Sequence, residues 1–342
     1  MNSIKSCLLI TGGAGFIGSN FIKYYANKYP HKPILNVDKL TYAGSTLNVD
    51  GIGGKENYQF IQADITDEEA VERLFQDYPI QGVIHFAAES HVDRSIQDAD
   101  SFIDTNVKGT MNLLQTAKRA WEESGQLKTA RFHQISTDEV YGSLDNDDKF
   151  NERTPYNPRN PYSASKAGAD FLVKSFGYTY GMNIVISSSS NNYGPRQHVE
   201  KLIPTIISKA LQHQPIPIYG DGKHIRDWLY VEDHCRALDL IYHHGAPMES
   251  YNVGGGNEME NINLAIKICE ILDLTCPAQK GRLGSFQELI TFAEDRPGHD
   301  RRYAVDDTKL RGTLGWRPLV EIEKGLQQTV EWYVDQWQPL KR

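Results

Sequence analysis

The sequence predicts an α/β protein: a doubly wound parallel sheet with a smaller α/β region toward the C-terminus. Three observations lead there. Short apolar segments alternate with helical ones through the first half of the chain, the pattern that builds parallel sheets. Those segments are continuously apolar instead of alternating in polarity, as strands covered on both faces must be. A glycine-rich turn joins the first of them to the first helix.

In order, CLLITG (7–12), PILNVD (33–38), YQFIQAD (58–64), GVIHFAA (82–88) and RFHQIS (131–136) read as strands. The helical segments between them are FIGSNFIKYYANKY (16–29), DEEAVERLFQDY (67–78) and TNVKGTMNLLQTAKRAWEE (105–123). A helix from about 161 to 180 precedes a further strand in MNIVISS (182–188). After Asn191 the rhythm loosens. Helices near 200–212, 231–243 and 261–272 are separated by the short strands PIPIY (215–219), DWLYV (227–231) and SYNVG (250–254), with prolines and glycines between. This divides the chain into 1–190 and 191–342, with a crossing of the chain between the two left open. The 342 residues suffice for one large domain of this class or two modest ones.

Composition narrows the function classes. Apolar residues make up 39% and charged ones 23%, as in ordinary globular proteins. The formal charge of −8, with no basic run, argues against a nucleic-acid partner. A few arginines or a helix N-terminus would still serve an anionic small molecule. Cys7, Cys235, Cys269 and Cys276 show no metal-ligand spacing, so reduced thiols, a cytoplasmic location and no bound metal are expected. No stretch approaches the roughly 18 apolar residues of a membrane span, and no apolar leader opens the chain, so a soluble protein without membrane contact is expected.

TGGAGFIGS places Gly12, Gly15 and Gly18 where the first strand turns into the first helix. Glycine there lets backbone N–H groups approach a pyrophosphate, whose charge the helix N-terminus then faces. The second strand ends in Asp38, an acid that can bind ribose hydroxyls and would repel a 2′-phosphate; the cofactor expected in this Rossmann-type half is NAD. Asp64, closing the third strand segment, reads equally as an adenine contact or as the N-cap of DEEAVERL.

PYSASKAGADF sets Tyr162 and Lys166 four residues apart on one helical face. A phenol is a poor base at neutral pH, and an ammonium one turn away favours its ionised form. Preceded by the glycine loop and by Thr137 at the end of a strand, the pair resembles the site of the short-chain dehydrogenase/reductases. There Tyr162 would take a hydroxyl proton, Thr137 would orient that hydroxyl, and Lys166 would hold the cofactor ribose.

Thr137 is followed by two acids, Asp138 and Glu139. In a continuing strand they would point to opposite faces; only an irregular turn at the strand end aims both at one ligand. A solvated acidic turn, or Asp138 capping a helical turn, is the structural alternative. The chemical reading follows from carbonyl reactivity. Once an alcohol becomes a ketone, the neighbouring C–H is acidic, and one carboxylate can remove that proton while another protonates a hydroxyl one carbon further on. Two carboxylates whose environments separate their pKa values would expel water. An epimerase that only oxidises and reduces one carbon needs neither.

TGGAGFIGS, VDKLTYAG, FAAESHVDRS, TNVKGT, STDEVYG, PYSASKA, NNYGP, EKLIP, PIYGDGKHIRDWLYVEDH and DRPGHDRRYAVD run from residue 11 to 306. Together they resemble the dTDP-glucose 4,6-dehydratase family of extended short-chain dehydrogenase/reductases, STDEVYG being the most discriminating. The resemblance implies that Phe16, Ile17, Asp38, Lys39, Leu40, Thr41, Asp64 and Ile65 line the NAD site. It adds Ala87, Ala88, Glu89, Ser90 and Thr105, with Tyr162, Lys166 and Asn192. It makes Asp138 the acid at the departing C6 hydroxyl, Glu139 the base at C5, and Tyr162 the base at the C4 hydroxyl. Ser90, Thr137 and Asn191 would touch the sugar. Lys201, Leu202, Pro217, Ile218, Tyr219, Arg226, Asn261, Asp295, Arg296, Pro297, Gly298 and His299 would hold the nucleotide diphosphate. The forks of Arg226 and Arg296 suit phosphate oxygens, though a surface arginine is their commoner fate. SSSSNNYGPRQHVEKLIP and QKGRLGSFQELITFAED are the stretches least like the family. A homodimer is expected through the 161–180 helix and TNVKGTMNLLQTAKRA, with an internal helix face as the alternative. The rival readings are a nucleotide-sugar 4-epimerase or decarboxylase of the same fold, and a non-catalytic NAD-binding scaffold.

Overall fold

Six strands follow one another into a single sheet: β1 (Cys7–Thr11), β2 (Ile34–Asp38), β3 (Tyr58–Gln62), β4 (Ile80–His85), β5 (Arg131–Thr137) and β6 (Asn183–Ser189). The chain then leaves it through β7 (Asn191–Tyr193), β8 (Ile216–Tyr219) and β9 (Ile225–Tyr230), and β10 (Ser250–Val253) returns to its edge. β11 (Glu258–Glu260) and β12 (Ile290–Ala293) complete the strands of this computed structural model, which describes residues 6–52, 56–144 and 147–337. The large sheet has the order β10-β6-β5-β4-β1-β2-β3, parallel throughout. Its order reverses between β1 and β4, so the loops after these two strands diverge and leave a crevice at their C-terminal ends.

The helices are α1 (Phe16–Lys28), α2 (Glu68–Asp77), α3 (Val92–Gln97), α4 (Ala99–Phe102), α5 (Thr110–Glu123), α6 (Pro161–Tyr180), α7 (Leu202–Leu211), α8 (Val231–His244), α9 (Asn261–Thr275), α10 (Thr308–Leu314) and α11 (Ile322–Gln336). Both faces of the sheet are covered, which is why its strands are continuously apolar. Leu113, Trp121 and Val173 of α5 and α6 meet Leu9, Val83 and Phe132 on one face. Phe21 and Tyr25 of α1 share the other face with Val231 and Leu238 of α8. A second core joins α7, α9 and α11 through Ile203, Ile207, Leu264, Ile268 and Leu326. Beside it lie a three-stranded sheet, β11-β9-β7, and the β8–β12 pair. Thus 250–253, read from sequence with the C-terminal region, belongs to the large sheet, and α8 packs against α1. Parallel strands require long crossovers, and the chain crosses back to supply one.

Local chemistry explains the element starts. Asn160 accepts from the Ser163 amide at 2.9 Å, and Pro161 occupies the first helical position, so α6 begins where the sequence indicates. α2 is capped by Asp67, whose carboxylate accepts from the Ala70 amide, which answers the question raised at Asp64: β3 ends at Gln62, and Asp64 binds the Thr66 amide and Lys39 instead. The helix expected over 105–123 is regular only from Thr110; Ile103–Gly109 form a wider π-type turn, a departure that often accompanies functional sites. α10 and α11 have no counterpart in the sequence reading.

Candidate active site

A cavity of about 310 Å³ opens in the crevice beside β1 and β4. Gly12, Gly15, Phe16, Ile17 and Gly18 form its floor at the start of α1. Gly12 sits at φ +71°, and a β-carbon there would lie 2.5 Å from the Ala87 nitrogen, so the turn admits only glycine. Gly15 begins α1 with no side-chain cap, leaving first-turn N–H groups for an anion. Asp38 accepts from the amides of Ala14 at 2.9 Å and Leu40 at 2.8 Å, and burial raises its carboxyl above the ordinary range. Lys39, Thr41, Asp64, Ile65, Ala87, Ala88, Glu89, Ser90, Thr105, Lys166 and Asn192 line the same cavity. Leu40 does not; at φ +59° it turns the chain and lends its amide to Asp38. A glycine cradle, a ribose-binding acid and a deep cleft in continuity fit a dinucleotide, and the expected cofactor residues surround it with that one exception.

The residues expected to be catalytic meet at the other end. β5 stops at Thr137, whose hydroxyl accepts from the Glu139 amide at 3.3 Å and starts a single 3₁₀ turn over Asp138–Tyr141. Thr137, and not Asp138, is therefore the cap. Gly142 closes the turn at φ 90°, where a β-carbon would lie 2.5 Å from the Asn157 carbonyl oxygen. The turn brings Asp138 and Glu139 into one cavity with Tyr162, Lys166 and Asn191, the arrangement a continuing strand could not make. Asp138 is buried and Glu139 half-buried with its Oε2 shielded from solvent, against the solvated-turn alternative. Asp138 Oδ2, Glu139 Oε2, Asn191 Oδ1 and Asn192 Oδ1 have no partner among the described residues, so the pocket wall carries polar atoms left for a ligand.

Electrostatics separates the two acids. Burial raises Asp138 well above the usual range, and the charges of Glu139 and Asp227 add to it against the weaker pull of Arg226 and Thr137. Asp227 is itself buried and pinned by the Gly255 and Asn257 amides. Burial also raises Glu139, but Arg296, Lys201 and Arg226 all oppose it. Asp138 is thus the acid held protonated, and Glu139 the one with cations to support its charge.

The tyrosine differs from expectation. Burial comes first, then the charges of Glu139 and Asp138, and together they raise the Tyr162 phenol, while the Thr137 hydroxyl works downward. The Lys166 ammonium uses one of its three donors on the Ile135 carbonyl at 2.7 Å, and burial lowers it. Asp170, one turn further along α6, supports that ammonium and is held by Ser136 at 2.6 Å and Tyr156 at 3.1 Å. It went unread in the sequence, although Tyr162, Lys166 and Asp170 repeat at one-turn spacing. Asn106 was also missed. It clasps the Glu89 backbone at 2.9 and 3.0 Å and is buried, donating also to the Ser165 hydroxyl; a polar residue on the buried face of a helical pattern was its signal.

The expected diphosphate residues lie apart from this cavity, apart from Lys201, which lines it and donates to the Ser90 carbonyl at 2.9 Å. Arg226, read from sequence as a phosphate fork, has its guanidinium buried over the Tyr303 ring at 4.3 Å, donating to the carbonyls of Ile225, Asp300 and Arg301. Its fork ties these segments together, and its charge lowers both Asp138 and Glu139. Ile218 is in the small core and Leu202 packs beside it, so neither side chain faces a ligand. Pro217 and Tyr219 flank Ile218 on β8, and Asn261 begins α9. Asp295, Arg296, Pro297, Gly298 and His299 form a loop joined to α3 by Arg296 and Asp93 at 3.4 Å. His299 stacks on His224 at 3.6 Å, with Asp295 bonded to the His299 ring at 2.6 Å and 3.3 Å from that of His224. One ligand-type atom from each of His224, Asp295 and His299 lies within 4.8 Å of the other two.

Residues 9–329 match the family described as GDP-mannose 4,6 dehydratase. A protein of Sinorhizobium fredii named probable dTDP-glucose 4,6-dehydratase is 49% identical over 339 residues, 98% of this chain and 95% of its own. Among solved structures, DesIV, the dTDP-glucose 4,6-dehydratase of Streptomyces venezuelae with NAD and a dTDP ligand bound, superposes with a TM-score of 0.86 at 40% identity, covering 98% of this chain and 99% of its own. The UDP-glucose 4-epimerase of Thermus thermophilus in complex with NAD gives 0.83 at 28% identity, covering 96% and 98%.

Proposed function

This chain belongs to the GDP-mannose 4,6 dehydratase family, and we propose that within it the enzyme is an NAD-dependent hydro-lyase converting dTDP-glucose to dTDP-4-keto-6-deoxyglucose and water. The observation that carries this reading is the acid pair at the end of β5, which shares a cavity with Tyr162 and whose members have different charged neighbours, acids beside Asp138 and cations beside Glu139. Epimerisation needs no such pair. The near-full-length likeness to dTDP-glucose enzymes supports the substrate.

Tyr162 accepts the C4 hydroxyl proton, with Thr137 orienting that oxygen. Bound NAD supplies the acceptor for the C4 hydride and its return to C6. Glu139 removes the C5 proton, now acidic beside the ketone, while Asp138 delivers a proton to the C6 hydroxyl, which leaves as water. A proton then returns to C5 and the C4 carbonyl remains, so the reaction is a dehydration with no net oxidation. Lys166, supported by Asp170, holds the ribose end of the cofactor site, and Asn191 and Ser90 stand beside the sugar. Asp295–His299 and Tyr219 would take the nucleotide diphosphate across the cavity mouth.

Incubation with dTDP-glucose in D2O, followed by proton NMR, tests this. Dehydration gives a new C6 methyl signal with deuterium at C5. An inverted C4 centre with unlabelled C5 would make the protein an epimerase; NAD binding without turnover would leave the scaffold reading.

The dimer belongs to the same proposal. On α6, Phe171 and Tyr178 are 57% and 80% exposed and lie in line with exposed Ala164 at seven-residue intervals, a face suited to a second copy. Replacing both Phe171 and Tyr178 by Glu is expected to convert a dimer to a monomer in sedimentation equilibrium. A variant that still sediments as a dimer would place the interface elsewhere. No described helix is long and apolar enough to cross a membrane. The four cysteines are buried and unpaired, which supports a reducing, cytoplasmic setting.

A further inference from the structure

Tyr42 lies on the loop after β2, between Thr41 and Ala43, two residues that line the cofactor cavity. Tyr42 itself does not line that cavity, and its side chain is held by three neighbours, two of which, His198 and Glu200, do line it. The Arg94 guanidinium sits 3.5 Å from the ring centroid, and the His198 ring meets its edge at 5.4 Å and 83°. The hydroxyl donates to Glu200 at 3.3 Å. Glu200 in turn lies 3.7 Å from ring nitrogens of both His91 and His198. These contacts join three separate segments: the loop after β2, the residues after β4 that reach α3, and the stretch between β7 and α7.

That last stretch is anchored from behind. Arg196, at φ +71°, donates to Asn20 of α1 at 2.5 Å, and Asn20 donates to the Pro195 carbonyl at 3.0 Å. Tyr333 of α11 donates to the Gln197 carbonyl, and Gln197 to that of Asn192. A non-glycine residue in the left-handed region is retained only where its surroundings over-determine it. The stretch least like the family in sequence is thus a braced strut, with Tyr42 seated against its tip.

We propose that Tyr42, clasped by Arg94 and His198 and tethered to Glu200, is the latch that keeps the cofactor in its cleft until the reaction is complete. This rests on the NAD site proposed above. The chemistry supplies the need. Electrons removed from C4 must come back to C6 of the same sugar, so a cofactor that leaves midway strands an unsaturated ketone. An oxidoreductase that exchanges its cofactor each turn has no such requirement. Tyr42 is a positioning residue: it does not itself line the cavity but bonds to Glu200 and packs on His198, which do, and it acts by holding the 39–45 loop closed over the adenosine side.

The test is the rate at which labelled NAD leaves the loaded protein during a chase with unlabelled NAD. Tyr42→Ala, which removes both the stack and the tether, is expected to release it about tenfold faster or more. Tyr42→Phe keeps the stack and loses the bond to Glu200, so its rate should fall between parent and Tyr42→Ala. Arg94→Gln, which leaves the tyrosine whole, is expected to speed release as well and decides the case if Tyr42→Ala does not fold. The melting temperature without cofactor should stay near the parent's in Tyr42→Phe. Release at the parental rate from Tyr42→Phe and Arg94→Gln would overturn the latch while leaving the dehydratase reading in place. A parent protein that takes up no NAD would sink the cofactor assignment itself.

Discussion

Tyr162→Phe is expected to lower the rate of dehydration by about two to four orders of magnitude, the usual loss when a positioned proton acceptor is removed. Phenylalanine fills the same space: Tyr162 sits with Val92 and Phe102 in a small apolar cluster, its ring 6.3 Å from that of Phe102. The melting temperature should therefore change little. What disappears is the oxygen beside Thr137 that takes the C4 hydroxyl proton. In the protein alone that oxygen holds its proton firmly, because it is buried next to two carboxyl groups. Its use as a base thus depends on what enters the cavity, and the oxidation step should show a strong dependence on bound positive charge. The measurement is single-turnover absorbance of the cofactor with dTDP-glucose. A variant oxidising the sugar at the parental rate would remove Tyr162 from the C4 chemistry.

Glu139→Gln should separate the two halves of the reaction. Oxidation at C4 does not use Glu139, so slow reduction of the cofactor by the sugar is expected to persist. Proton removal at C5 does use it, and water loss should fall by a similar two to four orders. In D2O the variant should show no deuterium at C5. The pH dependence follows from the direction of the shift. Burial raises Glu139, so it becomes protonated, and useless as a base, at a pH above the ordinary glutamate range. Activity should decline there as pH falls. Asp138 must carry a proton, and its carboxyl is raised further, so the same step should survive as pH rises until Asp138 ionises. An acid limb at the ordinary carboxylate position, or parental dehydration by Glu139→Gln, would show that another group is the base.

The cofactor half was legible because its determinants are local. The glycine turn, Asp38 at a strand end, and the one-turn spacing of Tyr162 and Lys166 each follow from the geometry of a few adjacent residues. Continuous apolar segments revealed strands covered on both faces. The same locality explains what went unseen. β10 reads like any short strand, and only the open edge of β6 decides that it joins the large sheet. Arg226 reads as a free fork, yet the carbonyls of Asp300 and Arg301, more than seventy residues away, claim it.

The acid pair shows the division most clearly. Adjacency and an apolar strand before it were enough to predict that Asp138 and Glu139 must sit on a turn to share a ligand, since side chains in a strand alternate. The acid and base roles came from the family resemblance; the physical reason for them lies in the tertiary structure. Asp227 comes to Asp138 from β9, and Lys201 and Arg296 come to Glu139 from two other segments. Charge and burial act through space, so the field at each carboxyl depends on residues that only folding brings near.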